Sequence, residues 1–72
     1  MTLKDIPKGK SVVVRQINTN EQTRRRLRTL GMLSGTPIEV VQRKQNGTLV
    51  IRLRGTRFAL GKELSEQIEV EA

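Results

Sequence analysis

Apolar and polar positions along this chain fall into short segments separated by turn residues, and only one stretch carries a helical period. Leu3 and Ile6 precede the turn-like run Pro7-Lys8-Gly9-Lys10. Ser11 to Ile17 follows with three consecutive valines, and β-branched density of that kind predicts a strand. Thr19 to Leu30 is the helical segment. Thr19-x-x-Gln22 fits a capping box, in which hydroxyl and amide satisfy orphan N–H groups at the helix start. Gly31 stands where a left-handed C-terminal cap belongs, and Pro37 lies beyond it. On a helical wheel Thr23, Leu27 and Leu30 share a narrow apolar stripe, while Arg24, Arg25 and Arg28 point roughly the other way. Leu27 and Leu30 are therefore expected to hold the helix to the rest of the fold.

Ser34-Gly35-Thr36-Pro37 reads as a second turn. Ile38 to Lys44 and Thr48 to Arg54 are then two strands joined around Asn46-Gly47, a hairpin signal. Their register stays open. A two-residue loop pairs Val40 with Leu53 but sets Ile51 opposite Gln42; a three-residue loop pairs Val41 with Ile51 but sets Glu39 opposite Leu53. Neither is clean, which predicts a bulge or a strand that bends and changes faces. Gly55-Thr56 turns the chain into Arg57 to Leu60, with Phe58 and Leu60 inward. Lys62 to Gln67 reads as a short helical turn and Ile68 to Val70 as a closing strand. The expected fold is mainly β: a small closed or nearly closed barrel of about five strands. One helix is inserted after the first strand, and the short turn precedes the last. Closure removes exposed edges. The 72 residues are expected to form one domain, residues 1–72. A chain this short buries only about 60% of its unfolded surface, so function is expected on a patch or shallow groove and not in a deep cavity.

The chain has no cysteine and no histidine. Disulfides, thiol nucleophiles, zinc knuckles and imidazole acid-base chemistry are excluded together. Such usage fits a reducing cytoplasm. No apolar run approaches the ~20 residues of a membrane span, and Met-Thr-Leu-Lys-Asp lacks a secretory h-region. A soluble, cytoplasmic protein is expected, with no catalytic residue and no cofactor.

Fourteen Lys and Arg against seven Asp and Glu leave a charge of +7. That invites nucleic acid, an anionic membrane surface or an acidic protein face as partner. The single aromatic, Phe58, counts against single-strand binding through stacking. Arg24, Arg25, Arg26 and Arg28 could dock phosphates or a carboxylate-rich surface, or form a solvated face paired with Glu21. Arg43, Lys44, Arg52, Arg54 and Arg57 line the hairpin region, with Arg52 and Arg54 on one face; they read as a nucleic-acid stripe or as charges that keep strands soluble. The glycines match no phosphate-cradling pattern. Glu69 and Glu71 share a face of the last strand and could hold a divalent ion weakly. Met32-Leu33 is either a core plug or an exposed apolar pair beside the arginines.

In their order and spacing these residues resemble the FeoA family, ferrous iron transport protein A. The family's Leu-x-x-hydrophobic-Pro-x-Gly opening is matched by Leu3, Ile6, Pro7 and Gly9. Its arginine-leucine helix, ending Leu-Gly-hydrophobic-x-x-Gly-Thr, is matched by Arg26 to Thr36. Ile38 to Val41, Val50 to Gly55, Phe58 to Leu60 and Ile68 to Val70 continue the match over essentially the whole chain. Two departures stand out. The central hairpin has Lys44-Gln45-Asn46-Gly47-Thr48-Leu49 where many members have Ala-Pro-x-Gly-Asp-Pro, and Leu60-Gly61 replaces Leu-Arg.

The resemblance implies an SH3-like β-barrel and a role beside FeoB, the membrane transporter with a cytosolic G-protein domain that imports ferrous iron. It implies a non-enzymatic accessory or regulatory protein, cytoplasmic and peripheral to the inner membrane face through that partner. Arg24, Arg25, Arg28, Met32 and Leu33 are the expected partner-binding residues. One rival is a nucleic-acid-binding barrel using Arg43, Arg52, Arg54 and Arg57. Another is a weak divalent-metal module like the C-terminal domains of iron-dependent repressors.

Overall fold

Five strands share one antiparallel sheet because their apolar residues alternate with polar ones and so define a single buried face. The computed structural model describes Met1–Ala72. In chain order the elements are a 3-10 turn at Leu3–Asp5, β1 (Ser11–Ile17), α1 (Glu21–Thr29), β2 (Pro37–Arg43), β3 (Leu49–Leu53), β4 (Thr56–Leu60), α2 (Lys62–Glu66) and β5 (Ile68–Glu71). The sheet order is β4-β3-β2-β1-β5, with every neighbouring pair antiparallel. The strands contribute Val12, Val14, Ile38, Val40, Leu49, Ile51, Leu53, Leu60, Ile68 and Val70 to one core; Leu3, Ile6, Leu27 and Met32 complete it. This is the mainly β architecture the pattern predicted. No hydrogen-bonded ladder joins β4 to β5, and α2 is the connection between them. The far edge of β5 is covered by the N-terminal segment, where Thr2 bridges Glu69 and the Val70 N–H donates to the Met1 carbonyl at 3.0 Å.

The open register between β2 and β3 resolves through a bulge. Beside the loop, Arg43 faces Leu49 and Gln42 faces Val50; past the extra residue Val41, Val40 faces Ile51 and Glu39 faces Arg52. The loop has three central residues, with Lys44 N–H donating to Thr48 O at 2.9 Å and Gly47 at φ +93°. The turn chemistry thus sets one register and the bulge converts it into another. Both Val40 and Ile51 then enter the core, and Glu39 lies beside Arg52. A second bulge, at Arg15 between β1 and β5, lets Val12, Val14 and Ile17 all face inward.

The helix begins one residue later than the capping-box reading placed it. Asn20 is the N-cap, and its Oδ1 accepts from Thr23 N–H at 2.8 Å. The Thr19 hydroxyl instead donates to Asn20 O. At the other end the helix closes as the glycine implied. Gly31, at φ +100°, donates its N–H to Arg28 O, and Met32 N–H donates to Leu27 O, both at 2.9 Å. That double bond pattern is a Schellman motif, and it turns Met32 back into the core cluster that holds Leu27.

Replacing Asn20 by alanine should cost about 1 kcal/mol in urea unfolding, since one orphan N–H loses its acceptor. Thr19→Ala should stay within about 0.5 kcal/mol. The reverse ranking would restore Thr19 as the cap.

Candidate functional site

Helix α1 has one buried residue, Leu27, so most of its surface faces solvent. Arg24, Arg25, Arg26 and Arg28 all project from it, and their engagement within the chain is slight. Arg25 meets Glu21 at 3.4 Å, one turn away, in a pair that is about three-quarters exposed on both sides. Such a pair contributes little, about 0.3–0.5 kcal/mol at most. Arg24 donates to the Thr19 carbonyl at 3.0 Å. Arg26 and Arg28 make no ion pair. The expectation that Glu21 would serve several arginines holds for Arg25 alone.

The helix exit corrects two expectations. Met32, expected at the contact surface, is only 2% exposed and sits in the core. The Schellman turn returns the chain so that Met32 joins Leu27 in the core cluster, the role Leu30 was expected to play. Leu30 is consequently displaced outward at 46% exposure, and Leu33 stands out at 41%. The exposed apolar pair at the helix exit is thus Leu30 and Leu33. Leu33 is held by its N–H to the Thr36 hydroxyl at 3.2 Å, and the Ser34 hydroxyl donates to Arg15 O at 3.1 Å.

The hairpin arginines do not form the stripe the alternation suggested. Arg43 donates to the Ile6 carbonyl at 2.6 Å, tying β2 to the N-terminal segment. Arg52 bonds Glu39 at 2.9 Å in a half-buried pair. Arg54 is not on the strand face with Arg52 at all: it is the first residue of the two-residue β3–β4 turn, at φ +52°. Arg57 lies opposite Arg52. Two of the four residues proposed for phosphate binding therefore already serve internal partners. The carboxylates are equally dispersed. Glu71 meets Arg15 at 3.4 Å, and no three ligating side chains converge.

One open depression, about 570 Å³, lies between the start of α1 and α2 and is lined by Thr23, Gly61, Lys62, Glu63, Leu64 and Gln67. Leu64 is its only apolar wall, which suits solvent better than an organic ligand. No helix is long and apolar enough to cross a membrane.

Comparison with known proteins agrees with this architecture. Residues 1–72 match the family model described as FeoA domain. The "Putative Fe(2+) transport protein A" of Methanocaldococcus jannaschii is 33% identical over 63 residues, covering 88% of this chain and 76% of its own. The solution structure of a FeoA protein from Chlorobium tepidum superimposes with a TM-score of 0.92 at 24% identity, over 99% of this chain and 69% of that one. The crystal structure of Stenotrophomonas maltophilia FeoA complexed with zinc, described as a procaryotic SH3 domain protein, superimposes at 0.84 with 32% identity. It is matched over 99% of this chain and 89% of that one.

The burial contrast at the helix exit is directly measurable. Met32→Ala should lower unfolding stability by about 2–5 kcal/mol. Leu30→Ser and Leu33→Ser should each change it by about 0.5 kcal/mol or less. Equal losses at all three would contradict the placement of Met32 inside and the leucines outside.

Proposed function

The chain belongs to the FeoA family, and from that premise we propose that it is a non-enzymatic accessory protein of ferrous iron uptake that docks on the cytosolic side of a FeoB-type transporter. The observation that carries this reading is the exposed face of α1. Four arginines stand within five residues, one carboxylate pairs with only one of them, and two exposed leucines follow at the exit. A protein interface needs a desolvated apolar centre with oriented charge around it. Arg24, Arg25 and Arg28 supply the charge, and Leu33 with Leu30 supplies the apolar part. Met32 supports the face from beneath.

The rest of the chain favours a binding role over chemistry. With no histidine and no cysteine, the chain has no imidazole or thiol for acid-base or nucleophilic work. Its basic balance favours association with an acidic surface through steering as well as contact.

Reversing Arg24, Arg25 and Arg28 together to Glu lowers the formal charge from +7 by two units at each position. The variant should bind the transporter's cytosolic domain at least about tenfold more weakly, since several oriented charges are inverted at once. Its melting temperature should stay close to that of the wild type, since none of the three makes an ion pair stronger than the exposed Arg25–Glu21 contact. Undiminished binding in a pull-down or by calorimetry would rule out this face. A duplex DNA control addresses the nucleic-acid alternative, because phosphate binding falls steeply with log salt, at about −0.9 per contact.

A further inference from the structure

Arg54 occupies a position that its side chain does not suit. The β3–β4 connection pairs Leu53 with Thr56, leaving Arg54 and Gly55 as its two turn residues, at φ +52° and +80°. A two-residue turn with both centres left-handed favours Gly at the first place, which has no Cβ to crowd, or Asn and Asp, whose short polar side chains hydrogen-bond locally; a long side chain such as arginine has neither advantage. Arg54 is the only non-glycine residue of the chain in that region. A residue kept in a disfavoured conformation is a reason to ask what its side chain does.

Its side chain reaches across to the exit of α1. A Cβ built on Gly31 would lie 3.3 Å from Arg54 Cδ and Nε, so the arginine lies directly on the glycine backbone. Gly31 separates Leu30 from Met32 at the Schellman turn, and Leu33 follows two residues later. The Arg54 guanidinium has no ion-pair partner in the chain. It does not satisfy the helix's last carbonyls, because Arg28 O and Leu27 O accept from Gly31 and Met32. A cation with no internal partner is therefore held against the one turn flanked by both exposed leucines.

We infer that Arg54 belongs to the docking face, and that the face takes a carboxylate-bearing protein surface, with the Arg54 fork holding a carboxylate beside an apolar group seated on Leu30 and Leu33. This rests on the docking reading above and names the chemistry its partner must present. The leucines favour a protein over a bilayer. Each is less than half exposed, which offers a shallow apolar floor to a facing side chain and no projecting wedge. They also favour a protein over nucleic acid, whose phosphate rail presents no apolar group to cover them. A planar guanidinium lying against the Gly31 backbone with no ion-pair partner is suited to two-point recognition of a carboxylate.

The test uses Arg54→Asn and Arg54→Gly, residues the turn prefers, with Arg54→Lys alongside. Binding to the transporter's cytosolic domain is measured by calorimetry and folding by thermal melts. Asn and Gly should weaken binding about tenfold or more with an equal or higher melting temperature, and Lys should fall between them and the wild type. Wild-type affinity in Arg54→Asn would overturn this assignment while leaving the docking reading intact. A wild-type chain that does not bind the domain sinks both. A melting temperature lowered by several degrees in both Asn and Gly would show Arg54 to be a structural strut and overturn its role in docking. Tighter wild-type binding to phosphatidylserine vesicles or duplex DNA than to the domain, lost on Arg54→Asn, would overturn the carboxylate assignment.

Discussion

The inner face of one five-stranded sheet has to gather ten of the fourteen core side chains, and in a chain of 72 residues no second sheet is available to cover them. Strict alternation along straight strands would not achieve this. The chain solves the problem with two extra residues, Val41 in β2 and Arg15 in β1, each of which shifts the pairing by one and so re-aims the residues beyond it. Without the shift at Val41, a register compatible with the Gln45-Asn46-Gly47 loop would place Glu39 opposite Leu53, setting a carboxylate on the core face or turning Leu53 outward. With it, Glu39 meets Arg52 on the outer face at 2.9 Å while Val40 and Ile51 meet inside. Bulges also increase local twist, which helps the sheet curl toward the SH3-like form of its relatives.

The same economy shapes the exposed surface of α1. Because the sheet supplies most of the core, α1 needs to contribute only Leu27, and the Schellman turn adds Met32 beneath it. The remaining helix surface is free of packing duties and carries its arginines outward. Only four of the fourteen cations, Lys4, Arg15, Arg25 and Arg52, form ion pairs at all. Of the ten unpaired cations, Arg24, Arg26 and Arg28 lie on this helix, where packing demands least.

Most of the fold was legible because its signals are local. Valine density marked β1, Asn46-Gly47 marked the central hairpin, and Gly31 marked the helix end. Even the bulge could be expected, since no single register satisfied both turn and core. What escaped was set by geometry at the helix exit. Leu30 lies on the apolar stripe of the wheel, yet a wheel does not show that a left-handed cap returns Met32 to that space. The N-cap at the other end of the helix is Asn20, which takes a role that Thr19 could also play by residue type. Arg54 was hidden for a different reason. Its place beside Gly31 is a long-range contact, and the only local clue was an arginine immediately before a turn glycine.

The anchoring of α1 by a single side chain has a dynamic consequence. Amides of the β-ladders sit in the cooperative centre of the sheet and exchange with solvent only through large openings. The amides of Arg25 to Thr29 can exchange whenever Leu27 lifts from its seat, an event costing far less than global unfolding. Any ligand of the helix surface binds only the seated fraction of molecules, so its apparent affinity is the intrinsic one reduced by that fraction. Occupancy of the surface in turn protects those amides, and the fit of Leu27 in the core becomes a remote control on how strongly the arginines above it can hold a partner.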